Sequence, residues 1–108
     1  MHFFDLKNMQ YKLKRKGVQV KAITGERCQM LRIRLDPGFE SDHCHSEEQI
    51  GLVLAGKIVL TVDGVTKSCV EGDAYHIPSN ARHSFKVLSS GPAEIIDFFS
   101  PPKEENRL

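Results

Sequence analysis

Two short stretches of the chain contain side chains that can bind a divalent metal ion. The first holds His43, His45 and Gln49, and the second ends at His83. Side chains of an extended chain alternate between its two faces, so the odd-numbered His43, His45 and Gln49 point to one side. Imidazole and carboxamide ligands suit zinc, nickel, iron or manganese. We therefore predict one such ion, held by these three residues and His83.

The predicted ligands are all electrically neutral, which decides the chemistry of the site. Three imidazoles and a carboxamide leave both positive charges of the ion uncompensated. Such an ion is a strong Lewis acid and attracts an anionic ligand such as a carboxylate or an enolate. The pattern favours non-redox polarisation of a carbonyl or enol over oxygen chemistry.

A carboxylate near the C-terminus is a candidate acid–base group. Asp97 alternates with Ile95 and Phe99 in an apolar stretch typical of a buried strand. A carboxyl group in an apolar, metal-containing cavity can act as a general acid or base. The alternative is a structural ion pair between Asp97 and Arg32 or Arg34. His76 is either close to the site or packed in the core.

The elements that must position these residues are short strands. Leu31, Ile33 and Leu35 alternate with polar residues, and similar runs recur at intervals typical of a sandwich or barrel. Asp63-Gly64 is a strong hairpin signal. Asn80 stands where a turn requires a left-handed residue. We predict eight or nine strands in one domain, with no long helix.

The two metal-binding stretches resemble the two sequence motifs of the cupin superfamily. The resemblance covers residues 28–100. The first motif begins at Gly38 and ends at Gly56, and the second contains Gly72, Pro78 and Asn80. It implies an all-β, single-domain jelly-roll barrel with the metal inside its mouth. Residues 1–27 would then be an N-terminal edge segment and residues 101–108 a C-terminal tail.

Three residues beside the predicted ligands need separate interpretation. Glu47 has the parity of a ligand, but the motif spacing favours Gln49. Cys44 and Glu48 have the opposite parity, so we expect them to point away, with Cys44 on the packed side.

The ligand set and the C-terminal Asp-x-Phe-Ser-Pro pattern also resemble a group of small three-His-one-Gln cupins. That group opens the ring of 4,5-unsaturated uronates. The resemblance implies that Asp97 and Phe99 line the site and that Lys103 holds the sugar carboxylate. The group has arginine at this last position, so Lys103 cannot make the same bidentate contact. Arg32, Arg34 and His76 are further candidates for substrate binding.

The predicted function is therefore that of a metal-dependent isomerase or lyase acting on a small carboxylated molecule. Two alternatives remain open. One is a metal-dependent dioxygenase of the quercetinase type, acting on a phenolic or diketone substrate. The other is a non-catalytic module that binds a small molecule.

Composition argues against other classes of partner. The net charge of the 108 residues is +1, which gives no overall attraction to nucleic acid or to a membrane surface. The basic run Lys12–Lys16 lacks interleaved aromatic residues and is typical of a solvated edge strand. Three cysteines without a C-x-x-C pair and without a signal peptide indicate the cytoplasm. Ile96 and Phe98 on an outward strand face suggest a homodimer.

Overall fold

Two antiparallel β-sheets pack face to face and enclose the apolar core. The computed structural model describes residues 2–107. A 3-10 helix, Glu104–Asn106, follows the last strand, and none of the helices in the described residues is long and apolar enough to cross a membrane. The ten strands are β1 (Lys12–Arg15), β2 (Val18–Thr24), β3 (Gln29–Leu35), β4 (Glu40–His43), β5 (Glu48–Ala55), β6 (Lys57–Val62), β7 (Val65–Val70), β8 (Ala74–Ile77), β9 (His83–Val87) and β10 (Ala93–Ser100).

The larger sheet has six strands in the order β1-β2-β3-β10-β5-β8, and the smaller has four in the order β4-β9-β6-β7. The last strand, β10, therefore lies between β3 and β5 in the middle of the larger sheet. Asp97 is opposite Leu31 on one side and Gly51 on the other. This is the jelly-roll architecture that the motif resemblance implies.

The alternating pattern of the sequence becomes the alternation between core and solvent. Leu31, Ile33 and Leu35 of β3 are buried, while Arg34 between them is exposed. Ile95 and Phe99 of β10 are buried with them, and Phe98 is exposed. An antiparallel sheet with one face on the core produces this period of two.

Two predicted turns have the expected backbone. Asp63 and Gly64 both have positive φ, 48° and 81°, and join β6 to β7 as a tight hairpin. Asn80 has a φ of 65°, so the prediction of a left-handed residue there is confirmed. This turn directs the chain from β8 into β9, which begins at His83.

The first metal-binding stretch is not the continuous extended segment that the alternation of His43, His45 and Gln49 predicts. The strand β4 ends at His43, a loop contains His45, and β5 begins at Glu48 in the other sheet. The structure also has ten strands rather than eight or nine. The strand β1 lies in the basic run that was expected at a solvated edge, and three of its four residues are exposed.

Candidate metal centre and cavity

The four predicted ligands come from both sheets and the loop between them. His43 on β4 is directly opposite His83 on β9 in the four-stranded sheet. His45 lies in the loop after β4, and Gln49 is the second residue of β5 in the six-stranded sheet. The 43–49 stretch thus crosses from one sheet to the other. It brings side chains to a common point at one end of the sandwich.

The structure brings the three histidine side chains together. One ring nitrogen from each of His43, His45 and His83 lies within 4.8 Å of the others. The ring centroids of His43 and His83 are 4.5 Å apart, and those of His45 and His83 are 4.8 Å apart. The Gln49 Oε1 atom is 3.2 Å from His45 Nε2. Three nitrogens at this spacing could hold one metal ion.

The hydrogen bonds of the histidines direct metal-binding lone pairs into the site. His83 Nδ1 donates to the Ala81 carbonyl at 2.9 Å, and His45 Nδ1 donates to the Glu47 carbonyl at 2.9 Å. Each bond leaves Nε2 as an acceptor. His83 Nε2 is buried without a hydrogen-bond partner among residues 2–107. His45 Nε2 faces another acceptor, Gln49 Oε1. Acceptors that face one another in a buried site fit a shared cation.

The site also favours the neutral forms of His43 and His45, which are the forms that bind metals. Burial lowers the pKa of His43 to about 4, and the neighbouring His83 contributes to this shift. Burial and Lys103 lower the pKa of His45. Ligand lone pairs are therefore available at neutral pH without competition from protons.

A cavity of about 480 Å³ opens from these ligands between the sheets. This size is typical of small-molecule sites. Its lining includes three of the four ligands, together with Asp97, Phe99 and Lys103. Phe99 is buried with its ring centroid 5.7 Å from that of His45, and Lys103 Nζ lies 5.5 Å from the Phe99 centroid.

Asp97 is 2% exposed and is held by a tyrosine rather than by an arginine. The Tyr75 hydroxyl donates to Asp97 Oδ1 at 2.6 Å. Burial raises the pKa of Asp97 to about 6, although the Tyr75 hydroxyl and the Gln49 amide lower it in part. A carboxyl group in this range can exchange a proton near neutral pH.

Tyr75 reaches Asp97 by passing over a glycine. Tyr75 on β8, Gly51 on β5 and Asp97 on β10 are opposite one another on three adjacent strands. A Cβ atom on Gly51 would overlap the Tyr75 ring. Glycine is required here for space rather than for its backbone conformation. The contact between Tyr75 and Asp97 depends on it.

The three other candidates for substrate binding lie away from the cavity. Arg32 pairs with Glu94 at 3.0 Å, and Arg34 is exposed. The alternation that buries Leu31 and Ile33 sends both arginines to the opposite face of β3. His76 is bonded to Glu48 at 2.7 Å on the surface. None of these three lines the cavity, and the alternative ion pair of Asp97 with an arginine does not form.

The prediction that Cys44 packs away from the site is wrong. Cys44 is exposed and lines the cavity. Strand parity does not apply to it because β4 ends one residue earlier. Glu48 does point outward, to His76. The Glu47 carboxylate lies 3.6 Å from His45 Nδ1, on the side of the ring away from Gln49.

Several residues that line the cavity, or that contact its lining, were not predicted from the sequence. Tyr75 and Gly51 belong to no recognised motif. Only the register of β8, β5 and β10 shows that Tyr75 crosses Gly51 to contact Asp97. Lys14 and Arg15 were interpreted as part of a solvated edge. Both line the cavity together with Glu105 from the C-terminal segment. The clustered positive charge near the N-terminus was visible in the sequence, but the sequence did not show that Lys14 and Arg15 point into the cavity.

Comparison with known proteins agrees with this architecture. Residues 31–99 match the Cupin domain family. A KdgF from Halomonas sp. has a TM-score of 0.90 at 24% identity, with 97% of each chain covered. An RmlC-like cupin from Shewanella frigidimarina has a TM-score of 0.88 at 25% identity, with 97% of this chain and 95% of that chain covered.

A longer relative shares part of the sequence. The HTH-type transcriptional regulator PuuR of Escherichia coli is 42% identical over 57 residues, which are 53% of this chain and 31% of the regulator. The aligned part of this chain therefore spans less than a third of that relative's length.

Proposed function

This chain belongs to the cupin family, and we propose that it is a metal-dependent enzyme that opens the ring of small unsaturated sugar acids. The observation that supports this proposal most is one cavity shared by three kinds of group. These are three of the neutral ligands, His43, His45 and Gln49, the buried carboxyl group of Asp97, and the ammonium group of Lys103. Together they suit a substrate that is anionic and must exchange a proton.

His43, His45, His83 and Gln49 would hold a divalent ion, with zinc, nickel, iron or manganese as the candidates. When bound, the ion supplies Lewis acidity toward a substrate oxygen. The neutral ligands preserve its full charge, which favours an anionic oxygen. The nitrogen spacing and the inward lone pairs support this assignment.

Ring opening of a 4,5-unsaturated uronate needs a proton to be moved and no change in oxidation state overall. The C1 hydroxyl loses its proton, the bond between C1 and the ring oxygen breaks, and C1 becomes an aldehyde. The ring oxygen remains on C5 as an enolate, and a proton added at C4 gives the ketone. We assign this proton transfer to Asp97, whose pKa of about 6 suits both directions of transfer.

Two further side chains would position the substrate. Phe99 offers an apolar ring between His45 and Lys103. Lys103 is 12% exposed and would pair with the sugar carboxylate as a point charge.

The test measures how fast metal-loaded protein removes the ultraviolet absorbance of the conjugated double bond in a 4,5-unsaturated uronate. We expect a rate above the spontaneous reaction, and a loss of about 100-fold or more in Asp97→Asn. Asp36→Asn, in an exposed turn, is the matched control and should retain full activity. A rate equal to the spontaneous one, with metal bound, would exclude this function.

A non-catalytic module that binds small molecules is the second candidate. The identity of 42% with part of a transcriptional regulator favours it, because ligand sensing requires no turnover. It would be supported if Asp97→Asn left the affinity for sugar acids unchanged and no turnover were found.

We also propose that the protein is cytoplasmic and forms a homodimer. The outward face of the six-stranded sheet supports the dimer, because it exposes the apolar side chains of Ile50 and Phe98.

A further inference from the structure

Three cationic side chains surround a single carboxylate at the mouth of the cavity. The Glu105 carboxylate lies 2.7 Å from Lys103 Nζ, 3.7 Å from Lys14 Nζ and 3.6 Å from a terminal nitrogen of Arg15. All four residues line the cavity that contains the histidines. The three cations come from the two ends of the chain, so the fold itself assembles this cluster.

A β-bulge explains why two neighbouring residues of β1 reach the same carboxylate. Adjacent side chains of a regular strand point to opposite faces. The pairing of β1 with β2 shifts between Leu13, opposite Gln19, and Arg15, opposite Val18. Lys14 lies at this irregularity. Bulges redirect side chains and are common beside functional sites.

The cluster has more positive charge than Glu105 can neutralise. Three cations face one carboxylate, and two of them are largely shielded from water, because the side chains of Lys14 and Lys103 are 18% and 12% exposed. Burial lowers the pKa of Lys14, and Lys103 and Arg15 add to this effect. The acids on the opposite rim, Asp42 and Glu40, are paired with Arg82 and Lys86.

Glu105, unlike Lys14 and Lys103, has a half-exposed side chain. Its side chain is 48% exposed and belongs to a single turn of 3-10 helix near the C-terminus. The group already bound between the three cations is a carboxylate. A carboxylate of a ligand that enters the cavity could pair with the same three cations. Glu105, which is half exposed, could then move into water.

We propose that Lys14, Arg15 and Lys103 form a binding site for a carboxylate group of the ligand, and that Glu105 occupies this site until the ligand displaces it. This inference rests on the proposed function in one respect, the assignment of the ligand as a sugar acid. The Phe99 ring lies next to both Lys103 and His45, so one small sugar acid could contact the carboxylate site and the metal centre together. Glu105 would then compete only with ligands that carry a carboxylate, because only these need the three cations that it occupies.

Calorimetric binding of galacturonate to metal-loaded protein tests this proposal without turnover. Galactose, which lacks the carboxylate, is the comparison ligand. In Glu105→Gln we expect galacturonate to bind about tenfold more tightly, because its internal competitor is neutral, while galactose binding is unchanged. Glu104→Gln is the matched control, since Glu104 lies in the same turn and pairs with Arg107 at 2.8 Å.

The cations are tested by Lys14→Gln, with Lys12→Gln on the same strand as its control. We expect Lys14→Gln to weaken galacturonate binding by about tenfold and Lys12→Gln to leave it unchanged. Equal affinities in Glu105→Gln and Glu104→Gln, or in Lys14→Gln and Lys12→Gln, would overturn the proposal, as would a lack of galacturonate binding in every variant. Tight galacturonate binding without any uronate turnover would instead refute the enzymatic function and leave the carboxylate site intact.

Discussion

Gln49 determines the charge that a substrate meets at the proposed metal centre. In Gln49→Glu a carboxylate replaces a neutral ligand and cancels one positive charge. It also brings a second carboxylate near Asp97, whose pKa the Gln49 amide now lowers. We expect metal to be retained and the KM for the unsaturated uronate to rise about tenfold or more, because attraction for the anion is lost.

Metal content measured by atomic emission and KM measured on the same sample separate these effects. Gln19→Glu on β2 adds the same charge outside the cavity lining and is the control. An unchanged KM with metal bound would contradict the assignment of Gln49 as a ligand whose charge matters.

The Tyr75 hydroxyl holds one oxygen of Asp97 and thereby orients the other. In Tyr75→Phe the ring remains over Gly51, but the hydrogen bond of 2.6 Å is lost. We expect kcat to fall about 10- to 100-fold while KM and metal content stay the same, since a hydrogen bond to a charged group contributes about 1.5–3 kcal/mol. The same substitution in an Asp97→Asn background should cause no further loss.

Tyr11→Phe is the control for this series. Tyr11 is the other tyrosine, and its hydroxyl hydrogen bonds to Glu94 at 3.3 Å, away from the cavity. Additive losses in the double variant would show that Tyr75 acts independently of Asp97.

At the scale of the strands, Gly51 leaves the space through which Tyr75 of β8 crosses β5 and contacts Asp97 of β10. Gly51→Ala places a methyl group into the Tyr75 ring, and we expect the free energy of unfolding to fall by about 1–3 kcal/mol. In a Tyr75→Leu background, which removes the ring, the alanine should cost much less. Urea unfolding of the wild type, of Gly51→Ala, of Tyr75→Leu and of the double variant measures this coupling.

Gly91→Ala is the matched control for this cycle, because a Cβ atom there meets nothing within 4 Å. Equal costs of Gly51→Ala with and without the Tyr75 ring would contradict a steric role for Gly51.

The sequence predicts the strands better than the directions in which their side chains point at irregular positions. The alternation of β3 and the Asp63-Gly64 turn followed from local pattern, which a regular antiparallel strand preserves. Lys14 lies at a bulge, and Cys44 lies just beyond a strand end, so parity gives no guidance for either. The contact of Tyr75 with Asp97 depends on registers between three strands, which no local pattern encodes.

At the scale of the whole molecule, the outward face of the six-stranded sheet determines how two copies can associate. Ile50 and Phe98 are opposite each other on β5 and β10, and they are 54% and 45% exposed. Leu52, 36% exposed, extends the same apolar patch. Adjacent apolar side chains in the centre of a sheet, rather than at its edge, favour face-to-face packing over strand addition.

Phe98→Lys places a charge in the middle of this patch without touching the cavity side of β10. If the patch is the dimer interface, the wild-type protein should sediment as a dimer at micromolar concentration and Phe98→Lys as a monomer, because burial of an unpaired ammonium is costly. Leu88→Lys is the control, since Leu88 is 47% exposed in the turn after β9 and should leave the dimer intact. A monomeric wild type would refute the dimer. If Phe98→Lys still forms a dimer, the interface must lie on another surface. The exposed apolar side chains of β5 and β10 would then not pack against a second copy of the chain.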